Sequence, residues 1–320
     1  MFRVFREERS EVIAGGLRDL WEQNYIKNKR YILAGYDLSQ TVEIRDGPAL
    51  CIGAGPSLQK NIKDIKKGLY KLVACDKTCP KLVDLGIVPE YVVALNAAHT
   101  DVQKWLEPVS RPGVTLIVPC GVHPETYEGW KGSIQWINAI VPTGLHMRIW
   151  HETLSGLVPR TIGSNAGTFA YLMAAEMGFN PVAYIGMDFS FLTREEVMRK
   201  YITHYEDHLK VPVGSTWPWP PISEWKPCKV PVYAKQYNVM EMTDIMHDVR
   251  WLDIGWWDMA QAFQSHVKRM REEKGTMTYC CVEGGINASR HSHIMSLKEF
   301  NDMLEGKDED TDNGCRHLGD

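Results

Sequence analysis

Short apolar segments alternate with helix-like segments along the first two thirds of the chain. After Gly47 the segment PALCIGAGPSL passes from an apolar run into a glycine turn, and SLQKNIKDIKKGL follows with helical spacing. The same order then recurs, with apolar runs at YKLVACD, EYVVALN, VTLIVPCG and SIQWINAI. Strands that alternate with helices of about ten residues predict a parallel sheet covered by helices on both faces.

The alternation continues to about residue 190. NAGTFAYLMAAEMGF has the composition of a buried helix, and PVAYIGMDFSF contains an apolar strand that ends at Asp188. The fold class predicted from this pattern is α/β, with a Rossmann-like, doubly wound and mainly parallel sheet.

Different patterns flank this core. Apolar residues between Val12 and Tyr25 recur at helical spacing and predict an N-terminal helical arm. At the other end, WWDMAQAFQSHVKRMREEKG predicts a helix that stops at Gly275, and Ser296 with Glu299 forms a capping-box pattern before a last short helix. This part is a C-terminal α+β extension with a Trp/Pro-rich loop, WPWPPISEWKPCKVP. The predicted division is therefore residues 1–47 (arm), 48–205 (Rossmann-like nucleotide-binding domain), 206–305 (lid, helix and closing strand) and 306–320 (disordered tail).

Charge and composition exclude several classes of protein. Thirty-six Lys and Arg against 40 Asp and Glu leave a net charge of −4, which argues against a nucleic-acid protein that binds by neutralising phosphates. No apolar run approaches the length of a membrane span, and Arg and Glu interrupt the N-terminus where a signal peptide needs an apolar core. The eight cysteines lack metal-type spacing. We expect a cytoplasmic protein with reduced thiols and without a membrane span.

Tryptophan is concentrated in one region of the chain. Six of the 11 Trp residues lie at positions 217, 219, 225, 251, 256 and 257. One hypothesis is that Trp217 and Trp219 belong to a lid that stacks on a flat acceptor. The alternative is that they pack a loop that has no other core.

Two glycine-rich helix starts are candidates for phosphate binding. Gly53, Gly55 and Ser57 follow the first predicted strand, where free N–H groups and the positive end of a helix attract anions. The sequence there is neither GxGxxG nor a P-loop, and a tight turn without a ligand is the alternative. The second start contains Ser164, Asn165 and Gly167, for which a plain helix cap is the alternative.

Polar residues stand at the ends of several predicted strands. Asp76, Asn96 and Asp188 each follow an apolar run, and Asp76 with Asp188 would bind Mg²⁺ beside phosphates. Either aspartate could instead cap the helix after it. His204 is a candidate acid or base. Glu283, Gly284 and Gly285 follow the last predicted strand, and they would close the site or form a simple turn.

Taken together in this order, the motifs resemble one family. GAGPSL, VACD, LGIVPEYVVALN, SNAGTFAYLMAAEMGFNPVAYIGMDFSF and CVEGGINASRHSHIMSLKEF are similar to motifs of the 6-hydroxymethylpterin diphosphokinase MptE-like family. The resemblance covers roughly residues 48–205, with a further block near 280–300. It implies nucleotide phosphates at Gly53, Gly55 and Ser57, and Asp76, Asn165 and Asp188 at the same crevice. It also implies that Glu283, Gly284 and Gly285 close that crevice.

The family suggests two activities. Archaeal members resemble enzymes that transfer diphosphate from ATP to 6-hydroxymethyl-7,8-dihydropterin with Mg²⁺. Bacterial members resemble motility accessory factors that are thought to transfer nonulosonic acids from CMP-sugars. Two features depart from the pattern: Asn96 stands where relatives commonly have an acid, and the Trp/Pro-rich stretch does not align with the family. If that acid is a metal ligand in the family, Asn96 would remove the ligand here.

Three hypotheses follow from these residues. The first is a Mg²⁺-dependent diphosphokinase with ATP as substrate; the second is a CMP-sugar glycosyltransferase; the third is a non-catalytic nucleotide-binding module. The expected partners are a nucleotide and a small-molecule acceptor, without nucleic acid. A homo-oligomer is compatible with the sequence.

Overall fold

The structure is a computed structural model of the chain. It describes residues 20–34, 46–97, 102–139, 160–163, 165–193, 196, 240–244, 246–252, 254–286 and 291–306. The chain divides into two compact units. The first unit comprises residues 1–46 and 71–179, and the second comprises residues 47–70 and 180–320.

Ten strands and seven α-helices are described. The strands are β1 (Ala49–Ile52), β2 (Lys71–Cys75), β3 (Tyr91–Val93), β4 (Thr115–Pro119), β5 (Ser133–Ile137), β6 (Val182–Ile185), β7 (Met240–Thr243), β8 (Val249–Leu252), β9 (Thr278–Cys280) and β10 (His293–Ile294). The helices are α1 (20–34), α2 (Leu58–Asn61), α3 (Cys79–Asp84), α4 (Val102–Leu106), α5 (Ala166–Glu176), α6 (Ile254–Lys274) and α7 (Leu297–Leu304).

The first unit is a parallel sheet with helices. Its strands lie in the order β2, β3, β4, β5, and Tyr91 at the start of β3 pairs with Val73 on one side and Thr115 on the other. The strands form continuous apolar runs, as expected where both faces of a sheet are covered. Helix α5 packs on β2 and β3, and its residues 168–175 are all buried.

Helix α1 attaches to the first unit through buried amides. Nδ2 of Asn24 donates hydrogen bonds to the carbonyl oxygens of Ala97 and Gly121, at 2.7 and 3.1 Å. Asn28 binds the carbonyl oxygens of Cys120 and Val122 in the same way. The predicted helical arm is therefore present over residues 20–34, and buried polar contacts fix it in place.

The second unit also contains parallel strands, in the order β10, β9, β6, β1, together with an antiparallel hairpin of β7 and β8. Helix α6 buries Ala260, Phe263, Val267 and Met270. The ring of Phe263 packs edge-on against Tyr184 of β6, with ring centroids 5.1 Å apart.

These elements confirm the predicted α/β class with mainly parallel strands. Helix α6 occupies the predicted segment and is followed by Gly275 with φ of +67°. The capping box of Ser296 and Glu299 is formed in full. None of the described helices has the length and apolar character needed to cross a membrane. The predicted domain boundaries at residues 47, 205 and 305 stay predictions, and the Trp/Pro-rich loop and the tail after Gly306 lie outside the described residues.

Six of the cysteines are buried and form no disulfide bond within the described residues: Cys51, Cys75, Cys79, Cys120, Cys280 and Cys281. Their reduced state stays a prediction. Cys228 and Cys315 lie outside the described residues.

Candidate functional site

In the second unit, the turns that follow β1 and β6 lie next to each other at the carboxyl ends of these two strands. Strands β1 and β6 are parallel partners, with Ile52 opposite Ile185, so the turns after them begin side by side. The Gly53 N–H donates to the Ile185 carbonyl oxygen at 2.9 Å, and the Gly55 N–H donates to the Gly186 carbonyl oxygen at 2.7 Å. The predicted phosphate-binding turn is thereby joined to the turn that carries Asp188.

The Asp188 carboxylate lies against Ser57. The Ser57 hydroxyl donates to Oδ2 of Asp188 at 2.8 Å, and the Ser57 backbone N–H lies 3.2 and 3.3 Å from the two carboxylate oxygens. Both residues are buried, at 4% exposure for Ser57 and 1% for Asp188. The carboxylate therefore occupies the place at the start of α2 that sequence reasoning gave to a phosphate.

Glycines are needed here because the two turns pack backbone against backbone. A Cβ on Gly55 would overlap the Asp188 carboxylate and the Gly186 carbonyl oxygen, and a Cβ on Gly53 would overlap the same carbonyl. Gly186 also has a positive φ of +63°, which glycine adopts without strain. The contacts agree with the alternative interpretation of a tight turn, and the role of Gly53, Gly55 and Ser57 at nucleotide phosphates stays a prediction.

Burial changes the protonation behaviour of Asp188. Loss of hydration raises its pKa from 3.8 to about 6, and this outweighs the hydrogen bonds from Ser57 and the charge of Arg250, which favour the ionised form. A carboxyl group in this pKa range can gain or lose a proton close to neutral pH. The pKa of Asp188 therefore lies close to neutral pH, while its side chain is shielded from solvent.

The turn after β9 packs onto the Asp188 segment. A Cβ on Gly285 would overlap the backbone of Asp188, and the Ile286 N–H donates to the Asp188 carbonyl oxygen at 3.0 Å. Glu283 reaches α2, where its Oε1 accepts a hydrogen bond of 2.8 Å from Nδ2 of Asn61. The structure thus brings Glu283, Gly285 and Asp188 together in one unit.

Sequence reasoning missed an ion pair that holds this turn. Asp244 Oδ2 accepts from the Arg250 Nε at 2.6 Å and from the Gly285 N–H at 2.9 Å. Oδ1 accepts from two backbone N–H groups of the β7–β8 turn, those of Met246 and Asp248. Burial opposes ionisation of Asp244, but these hydrogen bonds outweigh it and lower its pKa. An aspartate that opens a short turn between two alternating segments, MEMT and VRWL, was the available signal.

Four of the predicted residues lie in the first unit. Asp76 is buried and accepts a 2.7 Å hydrogen bond from the Lys77 N–H, and burial raises its pKa to about 6. Asn165 caps α5 by accepting from the Thr168 N–H at 3.0 Å, which agrees with the interpretation as a cap. Gly167 lies in the first turn of that helix. The Asn96 carbonyl oxygen accepts from the His123 N–H.

The remaining predicted site residues lie outside the part of the chain that the structure describes. They are Ser164, His204, Trp217 and Trp219. Their roles stay predictions.

The Asp188 carboxylate does not fit a direct magnesium ligand in this arrangement. It is almost fully buried, its oxygens are engaged by Ser57, and the positive charge of Arg250 acts on it. Among the described residues, no three His, Cys, Asp or Glu side chains are grouped to hold a metal ion. Mg²⁺ at Asp76 and Asp188 stays a prediction.

Parallel strands with helices, and polar turns at the carboxyl ends of β1 and β6, define a Rossmann-like α/β protein. Within that class, a model of the 6-hydroxymethylpterin diphosphokinase MptE-like family matches residues 23–194. The match covers more than half of the chain, and the chain belongs to this family.

Two further proteins are similar to it. An uncharacterized protein of Treponema pallidum (strain Nichols) is 28% identical over 82 residues, which is 25% of this chain and 39% of that protein. The solved structure of MAf glycosyltransferase from Magnetospirillum magneticum AMB-1 matches 82% of this chain with a TM-score of 0.54 and 14% identity. The match covers 36% of that structure's chain. At this identity the second similarity concerns the fold, and in both cases the match covers less than half of the other protein.

Proposed function

We propose that this chain is a transferase that uses a nucleotide-activated donor, and that it moves diphosphate from ATP to 6-hydroxymethyl-7,8-dihydropterin. The observation that carries the proposal is the family match over residues 23–194, which includes both the Gly53–Ser57 turn and Asp188. The fold supports it, because ligands of parallel α/β sheets bind outside the carboxyl ends of the strands.

The reaction exchanges one phosphorus–oxygen bond for another. The hydroxymethyl oxygen of the dihydropterin attacks the β-phosphorus of ATP, the bond from that phosphorus to the α-phosphate oxygen breaks, and AMP leaves. The proton of the acceptor hydroxyl passes to a base. Catalysis of such transfers depends mainly on positioning and on stabilisation of charge.

The described residues contribute positioning. The Asp188 carboxylate accepts hydrogen bonds from the hydroxyl and the backbone N–H of Ser57. The Asp244 carboxylate accepts from the Gly285 N–H, and Gly285 packs against the Asp188 backbone. Asp188 is a positioning residue in this assignment because its buried carboxylate does not reach a substrate. His204 remains the predicted acid or base for the hydroxyl proton.

The test is the identity of the nucleotide product. The chain is incubated with ATP, as its magnesium salt, and 6-hydroxymethyl-7,8-dihydropterin, and the nucleotides are separated by chromatography. Release of AMP in proportion to the diphosphorylated pterin supports the proposal. Formation of ADP, or no turnover, contradicts it.

Matched variants sharpen this assay. Asp188→Asn keeps the shape of the side chain but removes its charge, and we expect it to lower the rate of AMP release at least ~10-fold, in line with the loss of a hydrogen bond to a charged group. Asp84→Asn makes the same change at an exposed position of α3 and should leave the rate unchanged. An Asp188→Asn variant with the full rate would remove this residue from the site.

Glycosyl transfer from a CMP-sugar is the second candidate. It is favoured by the likeness to the MAf glycosyltransferase structure, which covers 82% of this chain and so extends beyond the family-model match. A ligand stabilises the state that it binds, so thermal unfolding with CMP and with ATP separates the two candidates. Stabilisation by CMP alone, with release of CMP from a CMP-sugar, favours glycosyl transfer. Stabilisation by a nucleotide without turnover of either donor favours a binding module.

A further inference from the structure

Asn61 and Glu283 form a fixed pair on the second unit, 222 residues apart in the chain. Asn61 is fully buried at the end of α2, and its Nδ2 donates to Oε1 of Glu283 at 2.8 Å. An ionised carboxylate can only accept hydrogen bonds, so the amide must present its NH₂ group to Glu283. The orientation of the Asn61 amide therefore follows from its partner.

This orientation leaves one acceptor of Asn61 without a partner. Oδ1 of Asn61 is buried and accepts no hydrogen bond from any residue that the structure describes. Buried polar atoms are nearly always paired, and an unpaired one calls for an explanation. The pair of Asn61 and Glu283 therefore has acceptor capacity that the described residues leave unused.

The backbone holds Glu283 in an uncommon conformation. Its φ is +53°, and Gly284 and Gly285 follow with φ of +146° and +86°. A positive φ is unfavourable for a residue with a Cβ, and such strain is concentrated at functional sites. The turn is fixed on its far side, because the Gly285 N–H donates to Asp244. The side chain of Glu283 is therefore preorganised.

Glu283 also retains capacity to bind a ligand. It is half-buried, and the hydrogen bond from Asn61 uses only one of its carboxylate oxygens. Oε2 accepts no hydrogen bond within the described ranges. The pair therefore presents acceptor oxygens to a ligand. Its NH₂ group, on Asn61, already donates to Glu283.

We propose that Glu283, oriented by Asn61, is a subsite for a planar ring edge with two adjacent N–H donors. A ring N–H beside an exocyclic amine, as in a 2-amino-4-oxopyrimidine ring, matches a carboxylate with two parallel hydrogen bonds. Cytosine and adenine present an amine beside a ring nitrogen that is an acceptor. That nitrogen would face the carboxylate, so two acceptors would be opposed. A site built from acceptors rejects such an edge because polar groups would be left unpaired.

The subsite rests on the proposed function, since the 2-amino-4-oxopyrimidine ring is part of the pterin acceptor. Glu283 is then the contact residue, and Asn61 is a positioning residue. Guanine carries the same edge, so the test includes guanosine monophosphate as a second source of this chemistry.

The test compares two ligands and two proteins. Binding of 6-hydroxymethylpterin and of 6-hydroxymethyllumazine, which has an oxygen in place of the 2-amino group, is measured by fluorescence titration of the full chain and of Glu283→Gln. We expect the wild-type chain to bind the pterin at least ~10-fold more tightly than the lumazine, the value of a good bidentate pair. Glu283→Gln should lose this preference. Glu305→Gln changes a surface carboxylate that pairs with Lys66 and should keep it.

The ratio of pterin affinity to lumazine affinity is the decisive measurement. If Glu283 had only a structural role, its substitution would not change this ratio. If Glu283→Gln folds and still prefers the pterin as strongly as the wild type does, the subsite is wrong. If the wild-type chain binds neither ring, the assignment is wrong as well. Tighter, Glu283-dependent binding of guanosine monophosphate supports the subsite but assigns it to a nucleotide base.

A second variant guards against misfolding of the first. Asn61→Ala removes the donor that orients Glu283 and should weaken pterin binding less than Glu283→Gln does, without loss of the ligand preference. Failure of the subsite and failure of the proposed function are distinguishable. AMP release with a Glu283-independent preference contradicts the subsite alone, and Glu283-dependent pterin binding without AMP release contradicts the proposed function alone.

Discussion

Ser57 and Asp188 are 131 residues apart in the chain, and the Ser57 hydroxyl donates a 2.8 Å hydrogen bond to Oδ2 of Asp188. The backbone N–H of Ser57 lies within hydrogen-bond distance of the same carboxylate. This contact closes the glycine turn after β1 onto the turn after β6, so the charge state of one buried aspartate affects both turns.

The charge of Asp188 should make the stability of the protein depend on pH. Its folded-state pKa of about 6 lies above the ordinary value of 3.8, so folding favours the neutral form. The resulting stabilisation is complete below pH 4 and is lost as the pH rises through 6. Relative to Asp188→Asn, we expect the wild-type chain to lose about 2 kcal/mol of unfolding free energy between pH 4 and 7.

Urea denaturation at several pH values measures this difference. The pH dependence of the unfolding free energy is compared between the wild type and Asp188→Asn. This comparison is informative even if the two proteins differ in stability by a constant amount at every pH. Asp84→Asn, at an exposed position, controls for the change in net charge. Parallel curves for the wild type and Asp188→Asn would show that burial does not favour the neutral form of Asp188.

Gly55 should not tolerate a side chain. A Cβ would overlap both the Asp188 carboxylate and the backbone carbonyl of Gly186, and backbone atoms cannot move aside as a flexible side chain can. We expect Gly55→Ala to cost about 3 kcal/mol, the upper end of the usual cost of overpacking, as seen by chemical denaturation.

Gly68→Ala is the matched control for Gly55→Ala. Gly68 has a positive φ of +82° but open space around its Cβ position, so alanine there should cost only the backbone penalty of about 1–2 kcal/mol. Equal losses at the two positions would mean that the two turns are not packed as described.

The pair of Asp244 and Arg250 should stabilise the second unit. Both residues are buried, and removal of the carboxylate leaves a buried guanidinium and the Gly285 N–H without this acceptor. We expect Asp244→Ala to cost about 3–5 kcal/mol, measured as a shift of the urea midpoint at constant slope.

Asp248 offers a control on the same arginine. Its carboxylate is exposed and lies 3.6 Å from the Arg250 Nη2. An exposed ion pair contributes about 1 kcal/mol or less, so Asp248→Ala should change stability little. If Asp248→Ala lowered the stability more than Asp244→Ala does, Asp248 and not Asp244 would be the stabilising partner of Arg250.

The capping box of α7 allows a local prediction. Ser296 Oγ accepts from the Glu299 N–H at 3.1 Å, and loss of such a cap costs about 1 kcal/mol. Ser296→Ala should therefore lower the melting temperature. Ser265 lies on an exposed part of α6, where alanine is the better helix former. Ser265→Ala should therefore not destabilise the protein. A neutral Ser296→Ala would indicate that α7 is held by packing alone.

Much of the local structure could be predicted from the chain. The alternation of apolar runs and helix-like segments predicts β1 to β6 and the helices between them, and Gly275 and the Ser296–Glu299 pattern predict where α6 ends and α7 begins. These features depend on neighbours within a few positions, and spacing along the sequence records such neighbours directly.

The state of the candidate site was not predictable in the same way. The residue types at Gly53, Gly55, Asp188 and Glu283 were recognised, and the sequence left both a bound phosphate and a tight turn open for the glycine turn. It did not indicate that the Asp188 carboxylate packs against Ser57. Asp244 and Arg250 were missed because neither belongs to a motif: Asp244 acts through its contact with Gly285, and Arg250 acts through Asp244.

The sequence by itself determined the α/β class, the order of β1 to β6 and the family, because these depend on short-range patterns and on the order of motifs. It did not predict the hairpin of β7 and β8 or the short strand β10. The tertiary structure decided which groups share a buried environment. Burial raises the pKa of Asp188, and Asp188, Asn61 and the turn of Glu283 are each contacted by residues that lie more than 30 positions away in the sequence. Desolvation and hydrogen-bond partners depend on the path of the chain in space, and spacing along the chain does not specify that path.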